Sequence, residues 1–336
     1  MKQLWRNLPE KFLERLKNIV PVEKQVDVLE ALSQRRPSTL RANTLKITAS
    51  QLQEKLKKLG VELEPVTWWE NAFIVKNIPL RQLTELDLYK QGYFYVQSLS
   101  SMLPPLILDP KLGEKVLDIT AAPGSKTTQM AALMENLGEI VANDNSPIRV
   151  LRMEANIRIQ GVTNTRIEKG AGQTLWTKYP EYFDKTLVDV PCSMEGRMCA
   201  IDPKSFEHWS TKKIKELTER QRFLLRAAIS ATKPGGTIVY STCTLAPEEN
   251  EGVIDWILKK EKDAVEVEPI KSLAFIGKLS FETTSGMTSW NTREYDDHVR
   301  QTVRVLPSPT MEGFYVAKLK KIKSNIPTRL NHSKII

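Results

Sequence analysis

The stretch KVLDITAAPGSK, residues 115–126, decides the fold because it combines a strand, a tight turn and the start of a helix. The apolar run 115–119 has the length of a buried strand, and Pro123 and Gly124 mark the turn. A helix is predicted to follow over 125–137. Ligands bind beyond the carboxyl ends of the strands in an open α/β sheet, so we expect the turn to face a ligand site.

The same alternation of strand and helix continues along the chain. Its predicted members are strands at 139–144, 165–168, 185–190, 237–242 and 313–319, and helices at 148–159, 211–232 and 248–260. Repeated strand–helix–strand units predict an α/β fold of the Rossmann-like type, with a mostly parallel sheet, right-handed crossovers and helices on both faces.

The first hundred residues have a different character. Apolar residues at Phe12, Leu16 and Ile19 share one helical face. A predicted helix at 49–59, closed by Gly60, lies among short strand patterns and indicates an α+β module. We therefore divide the chain into a helical segment at 1–36, a small α+β module at 37–105, a larger domain at 106–320 and a basic tail at 321–336.

Composition excludes several classes of protein. The chain has 336 residues, of which 41% are hydrophobic and 26% charged, which argues against disorder and collagen-like order. No apolar run approaches the roughly 20 residues that a membrane span requires. The N-terminus has no apolar segment typical of a secretory signal, so we expect a reducing, cytoplasmic location with free thiols at all three cysteines.

The formal net charge of +9 is concentrated at the two ends. Residues 1–100 carry 16 basic and 11 acidic residues, and residues 318–336 carry six basic and no acidic residues. The part between them holds 27 basic and 29 acidic residues. Basic flanks attract phosphate without reading sequence, although a solvated charged surface would give the same count.

The turn at 120–126 has neither the GxGxxG pattern nor that of a P-loop, which would need glycines where Thr120 and Ser125 stand. Asp144 ends the next predicted strand, eighteen residues after Lys126. An acid in that place can accept hydrogen bonds from ribose hydroxyls. The spacing favours a nucleoside site, and the alternative is a plain tight turn with an exposed acid.

Two cysteines follow the carboxyl ends of predicted strands. Cys192 comes after Asp189-Val190-Pro191, and Cys243 comes after Ser241-Thr242. A single cysteine is most often a small core residue, but two at equivalent strand ends should open into one crevice. Cys199 has no such placement and is interpreted as structural. A zinc site is disfavoured because no CxxC pair occurs and the three histidines have no ligand spacing.

Four motifs together give a specific resemblance. The ordered set AAPGSKT, DVPCS, YSTCT with PEENE, and EGFYVAKL resembles the RsmB/NOP/Sun family of S-adenosylmethionine-dependent RNA cytosine-5 methyltransferases. The upstream stretch RANTLK…GYFYVQSLSSML resembles the small module that precedes the catalytic domain in that family. The resemblance covers about residues 35–320 and implies a class I methyltransferase fold and S-adenosylmethionine as cofactor.

The resemblance also implies roles for individual residues. Asp189 is expected beside both cofactor and base, Cys243 as the nucleophile, and Cys192 as a helper in proton removal or product release. Related DNA enzymes use a Pro-Cys nucleophile, which leaves the opposite assignment of Cys192 and Cys243 open. The cofactor is expected to contact the turn and the next strand and helix through Thr120, Ala121, Ala122, Pro123, Gly124, Ser125, Lys126, Asp144 and Arg149.

One departure from the family pattern concerns the third strand. Members usually carry an acid near Gly170 to meet the adenine amino group, and here Glu168 lies two residues early. This departure is the one feature that favours an alternative function, a ribosome-assembly or RNA-binding factor with weak or lost catalysis. A small-molecule methyltransferase would leave both thiols and the basic flanks without a role.

The predicted partner is RNA, with ribosomal RNA favoured and transfer RNA next. We expect a monomer with no membrane or metal partner and no appended RNA-binding domain. The aromatic run Tyr93, Phe94 and Tyr95 could stack bases, although two of the three are expected in the core. Candidate phosphate contacts are Arg35, Arg36, Arg41, Lys46, Lys318, Lys320, Lys321 and Lys323.

Overall fold

The computed structural model describes residues 3–270 and 281–326. Two helices open the chain, α1 (Glu10–Ile19) and α2 (Gln25–Leu32). A four-stranded antiparallel sheet follows in the order β2-β3-β1-β4. Its strands are β1 (Thr39–Ala42), β2 (Leu63–Pro65), β3 (Ala72–Val75) and β4 (Phe94–Val96), and its helices are α3 (Ala49–Lys58), α4 (Leu80–Glu85) and α5 (Asp87–Lys90).

The large sheet begins after α6 (Leu99–Leu108). Its parallel strands are β5 (Lys115–Asp118), β6 (Glu139–Asp144), β7 (Thr165–Lys169), β8 (Phe183–Asp189) and β9 (Thr232–Thr242). The helices between them are α7 (Ser125–Leu133), α8 (Pro147–Gln160) and α9 (Thr211–Ala231), and α10 (Glu251–Lys260) follows β9. This alternation confirms the α/β fold that the sequence predicts.

The far side of the sheet is antiparallel, which makes the sheet more mixed than the sequence predicts. Its strands are β10 (Val265–Glu268), β11 (Thr283–Ser285), β14 (Val303–Val305) and β15 (Phe314–Lys321), and β12 (Ser289–Trp290) pairs with β13 (Arg293–Glu294) as a separate hairpin. The full order is β11-β14-β15-β9-β8-β5-β6-β7, with β10 on β15. The chain reverses direction across the sheet between β5 and β8, where open α/β sheets bind ligands.

Alternate side chains of each central strand face two different cores. Val188 and Ile238 pack on the side that carries α1, α9 and α10, whereas Leu187 and Val239 pack on the side of α6, α7 and α8. Helices therefore cover both faces of the sheet, as predicted. The small sheet has a core of its own, in which Phe94 is fully buried.

Two candidate phosphate contacts are wrong because the structure buries them. Arg41 is 1% exposed and donates hydrogen bonds to Gln97 and to Thr128 of α7, so it joins the small sheet to the large one. Burial lowers the pKa of its guanidinium to about 10. Lys321 is fully buried in β15 and pairs with Glu181, so the basic tail cannot begin at 321. The tail residues 327–336 lie outside the described residues.

Candidate active site

A cleft of about 600 Å³ opens where the carboxyl ends of β5, β8 and β9 meet the small module. Residues from both parts of the chain form its walls, which is why no single sequence window predicts it. The residues that line the cleft include Arg36, Tyr95, Asp118, Thr120, Ala121, Ala122, Pro123, Ser125, Lys126, Arg149, Asp189, Arg197, Cys243, Glu312 and Phe314.

The predicted turn forms one wall of this cleft. Gly124 has φ +99 and precedes α7, and a Cβ there would lie 3.3 Å from Met153 Cγ, so only glycine suits the position. The small side chains of Ala121 and Ala122 leave the backbone open to a ligand. Thr120 donates to the Asp189 carbonyl at 2.7 Å, which fixes the turn against β8.

Asp144 and Arg149 stand together at the rim. Asp144 is 2% exposed and accepts a hydrogen bond from Ser146 N, and its Oδ2 lies 3.3 Å from Arg149 Nη1. Arg149 lines the cleft and also donates to the Ala122 carbonyl. The two residues thus meet at the end of β6, beside the turn, although Asp144 does not itself line the cleft.

The third strand supplies no acid to the cleft. A Cβ placed on Gly170 would meet nothing within 4 Å, so space is open beside it. Glu168 instead accepts hydrogen bonds from Lys178 and Tyr179, which hold its pKa below the usual range against the effect of burial. The departure found in the sequence therefore persists in three dimensions.

Asp189 and Lys126 form an ion pair inside the cleft. Lys126 Nζ donates to Asp189 Oδ2 at 2.7 Å and to Ser101 Oγ at 2.8 Å. Ser241 Oγ donates to the other carboxylate oxygen, Oδ1, at 2.8 Å. These donors fix the carboxylate between the turn and the two cysteine-bearing strand ends.

The structure brings the two predicted thiols into contact. Cys192 Sγ and Cys243 Sγ are 3.2 Å apart, and Cys243 lines the cleft. The contact with Cys243, together with burial, raises the pKa of Cys192 well above its usual value. Either sulfur can be the donor in this contact. Cys199 is buried elsewhere and donates to the Gln34 carbonyl, in agreement with a structural role.

A buried carboxyl clamps the two cysteine loops together. Glu249 accepts hydrogen bonds from Ser193 N and Oγ and from Gln221 Nε2. Ser193 Oγ also lies 2.7 Å from Thr244 Oγ1, so the neighbours of both thiols are joined. Burial raises the pKa of Glu249 to about 7. The sequence motif PEENE pointed to this segment but not to this role.

Sequence reasoning missed several residues of the cleft wall, among them Asp118, Arg197, Glu312 and Phe314. Asp118 ends β5, and its position just before the turn was an available signal. Its burial raises its pKa to about 7, although Thr127 Oγ1 donates to it at 2.7 Å. Arg197 and Glu312 come from loops more than a hundred residues apart, and no spacing rule joins them.

Of the aromatic run 93–95, only Tyr95 reaches the cleft. Phe94 is fully buried and Tyr93 packs against the core of the small sheet, as expected for two of the three. The Tyr95 hydroxyl accepts a hydrogen bond from Asn156, and burial raises its pKa to about 12. Lys46 is exposed but donates to the carbonyls of Gln91 and Ile159.

Within residues 3–270 and 281–326, no cluster of His, Cys, Asp and Glu has the geometry of a metal site. No helix of that described part is long and apolar enough to cross a membrane.

The sheet order and the turn at its switch point are those of the class I methyltransferase fold. A family model for the 16S rRNA methyltransferase RsmB/F matches residues 105–320, and a second, for the N-terminal domain of 16S rRNA methyltransferase RsmF, matches residues 8–99. The chain belongs to this RsmB/F family, which confirms the resemblance drawn from the motifs.

Curated relatives agree with the family models. The chain is 38% identical over 326 residues to ribosomal RNA small subunit methyltransferase F of Pectobacterium carotovorum, which covers 96% of the chain and 64% of that protein. The protein of the same name from Vibrio cholerae is 38% identical over 330 residues, 96% of the chain and 65% of the relative. The chain thus spans slightly less than two thirds of the length of these relatives.

Solved structures give the same picture. A methyltransferase homologue from Pyrococcus horikoshii superposes with a TM-score of 0.75 at 31% identity, covering 94% of the chain and all of that protein. NSun6 from the same organism, solved with SFG, gives a TM-score of 0.76 at 25% identity and covers 94% of the chain and 99% of that protein.

Proposed function

We propose that this protein transfers a methyl group from S-adenosylmethionine to C5 of a cytosine in ribosomal RNA, through a covalent bond between Cys243 and C6. The observation that carries the proposal is the pair of touching thiols, one of which opens into a cleft that also contains Asp189 and Lys126. The names of the curated relatives favour small-subunit ribosomal RNA over transfer RNA. We further propose action as a monomer in the cytoplasm.

The residues of the cleft fit the proposed cofactor. Small side chains at Ala121 and Ala122 and the free N–H groups at the start of α7 suit close approach of a polar ligand. Asp144 lies beside the turn at the end of β6, and its Oδ2, which makes no hydrogen bond but lies 3.3 Å from Arg149 Nη1, can accept from ribose hydroxyls. Bound S-adenosylmethionine supplies an electrophilic methyl group on its sulfonium.

Cys243 performs the first step of this mechanism. Cytosine C5 is a weak nucleophile, and addition of a thiolate to C6 converts C5 into an enamine carbon that can accept a methyl group. A hydrogen bond from the Cys192 thiol to the Cys243 sulfur, 3.2 Å away, would favour the thiolate that this step needs.

Asp189 holds the base while the adduct exists. Its carboxylate can accept a hydrogen bond from the cytosine amino group and, once N3 is protonated in the adduct, from N3–H, and Lys126 and Ser241 fix its orientation. After methylation, a water molecule removes the C5 proton and the C5–C6 double bond re-forms. The pair of electrons in the bond to C6 returns to the Cys243 sulfur, which the Cys192 thiol stabilises as a leaving group.

The test is direct. Purified protein is incubated with labelled S-adenosylmethionine and with unmodified 16S rRNA, small ribosomal subunits, 23S rRNA and transfer RNA, and 5-methylcytosine is then mapped. We expect one cytosine of small-subunit rRNA to be labelled. Label in transfer RNA alone would correct the substrate, and binding to RNA without transfer to any fraction would favour the alternative of an RNA-binding or assembly factor.

A further inference from the structure

Two arginines and one glutamate form an unbalanced charge cluster on the cleft wall. Arg197 Nε lies 3.2 Å from Glu312 Oε1, and Ser98 Oγ donates to Glu312 Oε2 at 2.9 Å. Arg36 lines the same cleft, where burial lowers the pKa of its guanidinium although Glu312 acts against this effect. The cluster therefore carries two cations and one anion, and all three residues line the cleft with Cys243.

The backbone places this cluster with little freedom. Gly196 N donates to the Cys243 carbonyl, and Gly313 N donates to the Gly196 carbonyl at 2.9 Å. A Cβ on Gly196 would lie 1.9 Å from the Gly313 oxygen, so these two segments of the chain can come this close only with glycine at position 196. This contact sets Arg197 beside Glu312 and ties both to the strand end that bears the nucleophile.

Arg36 presents an unsatisfied donor. Its Nε donates to the carbonyls of Ser308 and Met311, which fixes the side chain, but its Nη2 is buried without a hydrogen-bond partner among the described residues. Buried donors of this kind are costly unless a ligand or solvent meets them. A planar guanidinium with a free edge is suited to an anionic oxygen.

The chemistry of the substrate indicates which anion belongs here. In a pyrimidine nucleotide with the usual anti conformation, the C6 edge of the base faces its own 5′ phosphate. A thiol that attacks C6 of a base taken out of its stack therefore has that phosphate on the same side. Arg197 lines the cleft with Cys243 and follows Gly196, whose N–H donates to the Cys243 carbonyl, so its cation is near the place where we expect that phosphate.

We propose that Arg197 and Arg36 bind the phosphodiester on the 5′ side of the target cytidine, and that Glu312 occupies this place when no RNA is bound. The inference rests on the proposed function. Binding then exchanges the Arg197–Glu312 pair for an Arg197–phosphate pair. Glu312 becomes a competitor that weakens non-productive binding of anions, and the cluster positions the nucleotide rather than reading its sequence.

The experiment compares Arg197→Gln, Glu312→Gln and the control Lys111→Gln in the full chain. Lys111 is exposed and precedes β5, so it lies at the amino ends of the strands, whereas the cleft lies at their carboxyl ends. RNA affinity for a 16S rRNA transcript is measured from 50 to 200 mM salt. We expect R197Q to bind about tenfold more weakly and to reduce the salt slope by about 0.7, the value for one single-stranded phosphate contact.

Replacing the glutamate should change RNA affinity in the opposite direction. We expect E312Q to bind RNA several-fold more tightly, because the competing carboxylate is gone while the amide oxygen of the new side chain can still accept from Ser98. K111Q should leave affinity unchanged and the slope within about 0.2 of the wild-type value, since it removes no phosphate contact. Equal losses in R197Q, E312Q and K111Q, or an unchanged slope in R197Q, would overturn the proposal.

Two further measurements separate the phosphate from other ligands of Arg197. The Kd for S-adenosylhomocysteine should be the same in R197Q and wild type, and a tenfold loss there would assign the arginine to the cofactor carboxylate instead. In methylation assays R197Q should raise KM about tenfold with kcat within threefold, and a fall in kcat alone would assign Arg197 to the thiols. Absence of methylation in the wild type would refute the proposed function, while the binding data still decide the phosphate site.

Discussion

At the scale of single residues, the two thiols are expected to give opposite phenotypes. Cys243→Ala removes the proposed nucleophile. It should reduce the rate of methylation by at least about 10³-fold and give no covalent product. Cys192→Ala removes the thiol that we propose stabilises the leaving sulfur, so a covalent protein–RNA adduct should accumulate. Denaturing gels with labelled RNA distinguish the two, and Cys199→Ala is the matched control. An adduct in C243A but not in C192A would exchange the two roles.

Asp118 gives a second prediction at this scale, a dependence of stability on pH. Burial raises its pKa to about 7, so the folded protein binds a proton that the unfolded chain has lost above about pH 4. The contribution of Asp118 to the free energy of unfolding of the wild type therefore falls as the pH rises from 4 to 7. Asp118→Asn, which can still accept from Thr127, removes the effect.

Urea unfolding at pH 5 and pH 8 checks this expectation. Relative to wild type, D118N should gain free energy of unfolding between the two pH values, with an upper bound on the order of 3 kcal/mol for the two pH units between 5 and the folded pKa of about 7. Asp297→Asn, at an exposed carboxylate, is the control and should show a constant offset. A constant offset in D118N as well would show that Asp118 is ionised when folded.

Single residues also show the limit of sequence reasoning. Arg41 and Lys321 look like surface cations in one dimension, and the structure buries both against partners from distant segments. The paired thiols, in contrast, could be predicted, because two parallel strands end side by side whatever their loops do. Charge on a long side chain is a weak predictor of exposure, whereas position at a strand end is a strong predictor of location.

At the scale of elements, a buried ion pair links β14 to the helix after β9. Arg304 donates to both carboxylate oxygens of Glu251 and to the Leu245 carbonyl, and both side chains are almost fully buried. Arg304→Leu leaves Glu251 as an uncompensated buried charge, and we expect a loss of about 3–5 kcal/mol in the free energy of unfolding.

The double variant R304L/E251L tests that explanation. Removing both charges should cost less than removing Arg304 alone, because no unpaired carboxylate remains. Chemical denaturation of both single variants and the double variant measures the coupling. Additive losses would mean that the pair does not act as a unit and that β14 is held by its sheet contacts.

Elements with strong periodicity were predicted closely, and those defined by tertiary contacts were not. The helix predicted at 148–159 is observed at Pro147–Gln160, and the strand predicted at 139–144 at Glu139–Asp144. The helix predicted to reach 137 ends at Leu133, because Glu135 and Asn136 adopt positive φ. The short antiparallel strands β10, β11 and β14 were missed, since strands of three or four residues have too little pattern to stand out.

At the scale of the whole molecule, the structure changes the meaning of the net charge. Lys318 and Lys321 of the basic C-terminal flank lie in β15 and pair with Glu268 and Glu181, so part of that excess is neutralised internally. The cleft instead contains cationic side chains from two parts of the sequence. Arg36 comes from the N-terminal part of the chain and Arg197 from the large domain. The proposed RNA-binding surface therefore includes residues that the charge of the two flanks does not reveal.

The same scale carries a prediction about cooperativity. The first helix is part of the large domain, because Phe12 is fully buried in the core under the large sheet and packs edge-on against Trp209 with centroids 5.9 Å apart. Phe12→Ala should cost about 3–5 kcal/mol. Because the segment shares this core, we expect helix content and S-adenosylhomocysteine binding to be lost in one transition at a lower temperature.

Phe94→Ala is the matched variant, since Phe94 is equally buried but lies in the separate core of the small sheet. This variant should reduce the free energy of unfolding of the small module by a similar amount. The Tm of the large sheet should stay unchanged. Circular dichroism and cofactor binding followed over the same temperature range report the two cases. If F12A lost its N-terminal helices first while cofactor binding persisted unchanged, the helical segment would be an accessory to the large domain rather than part of it.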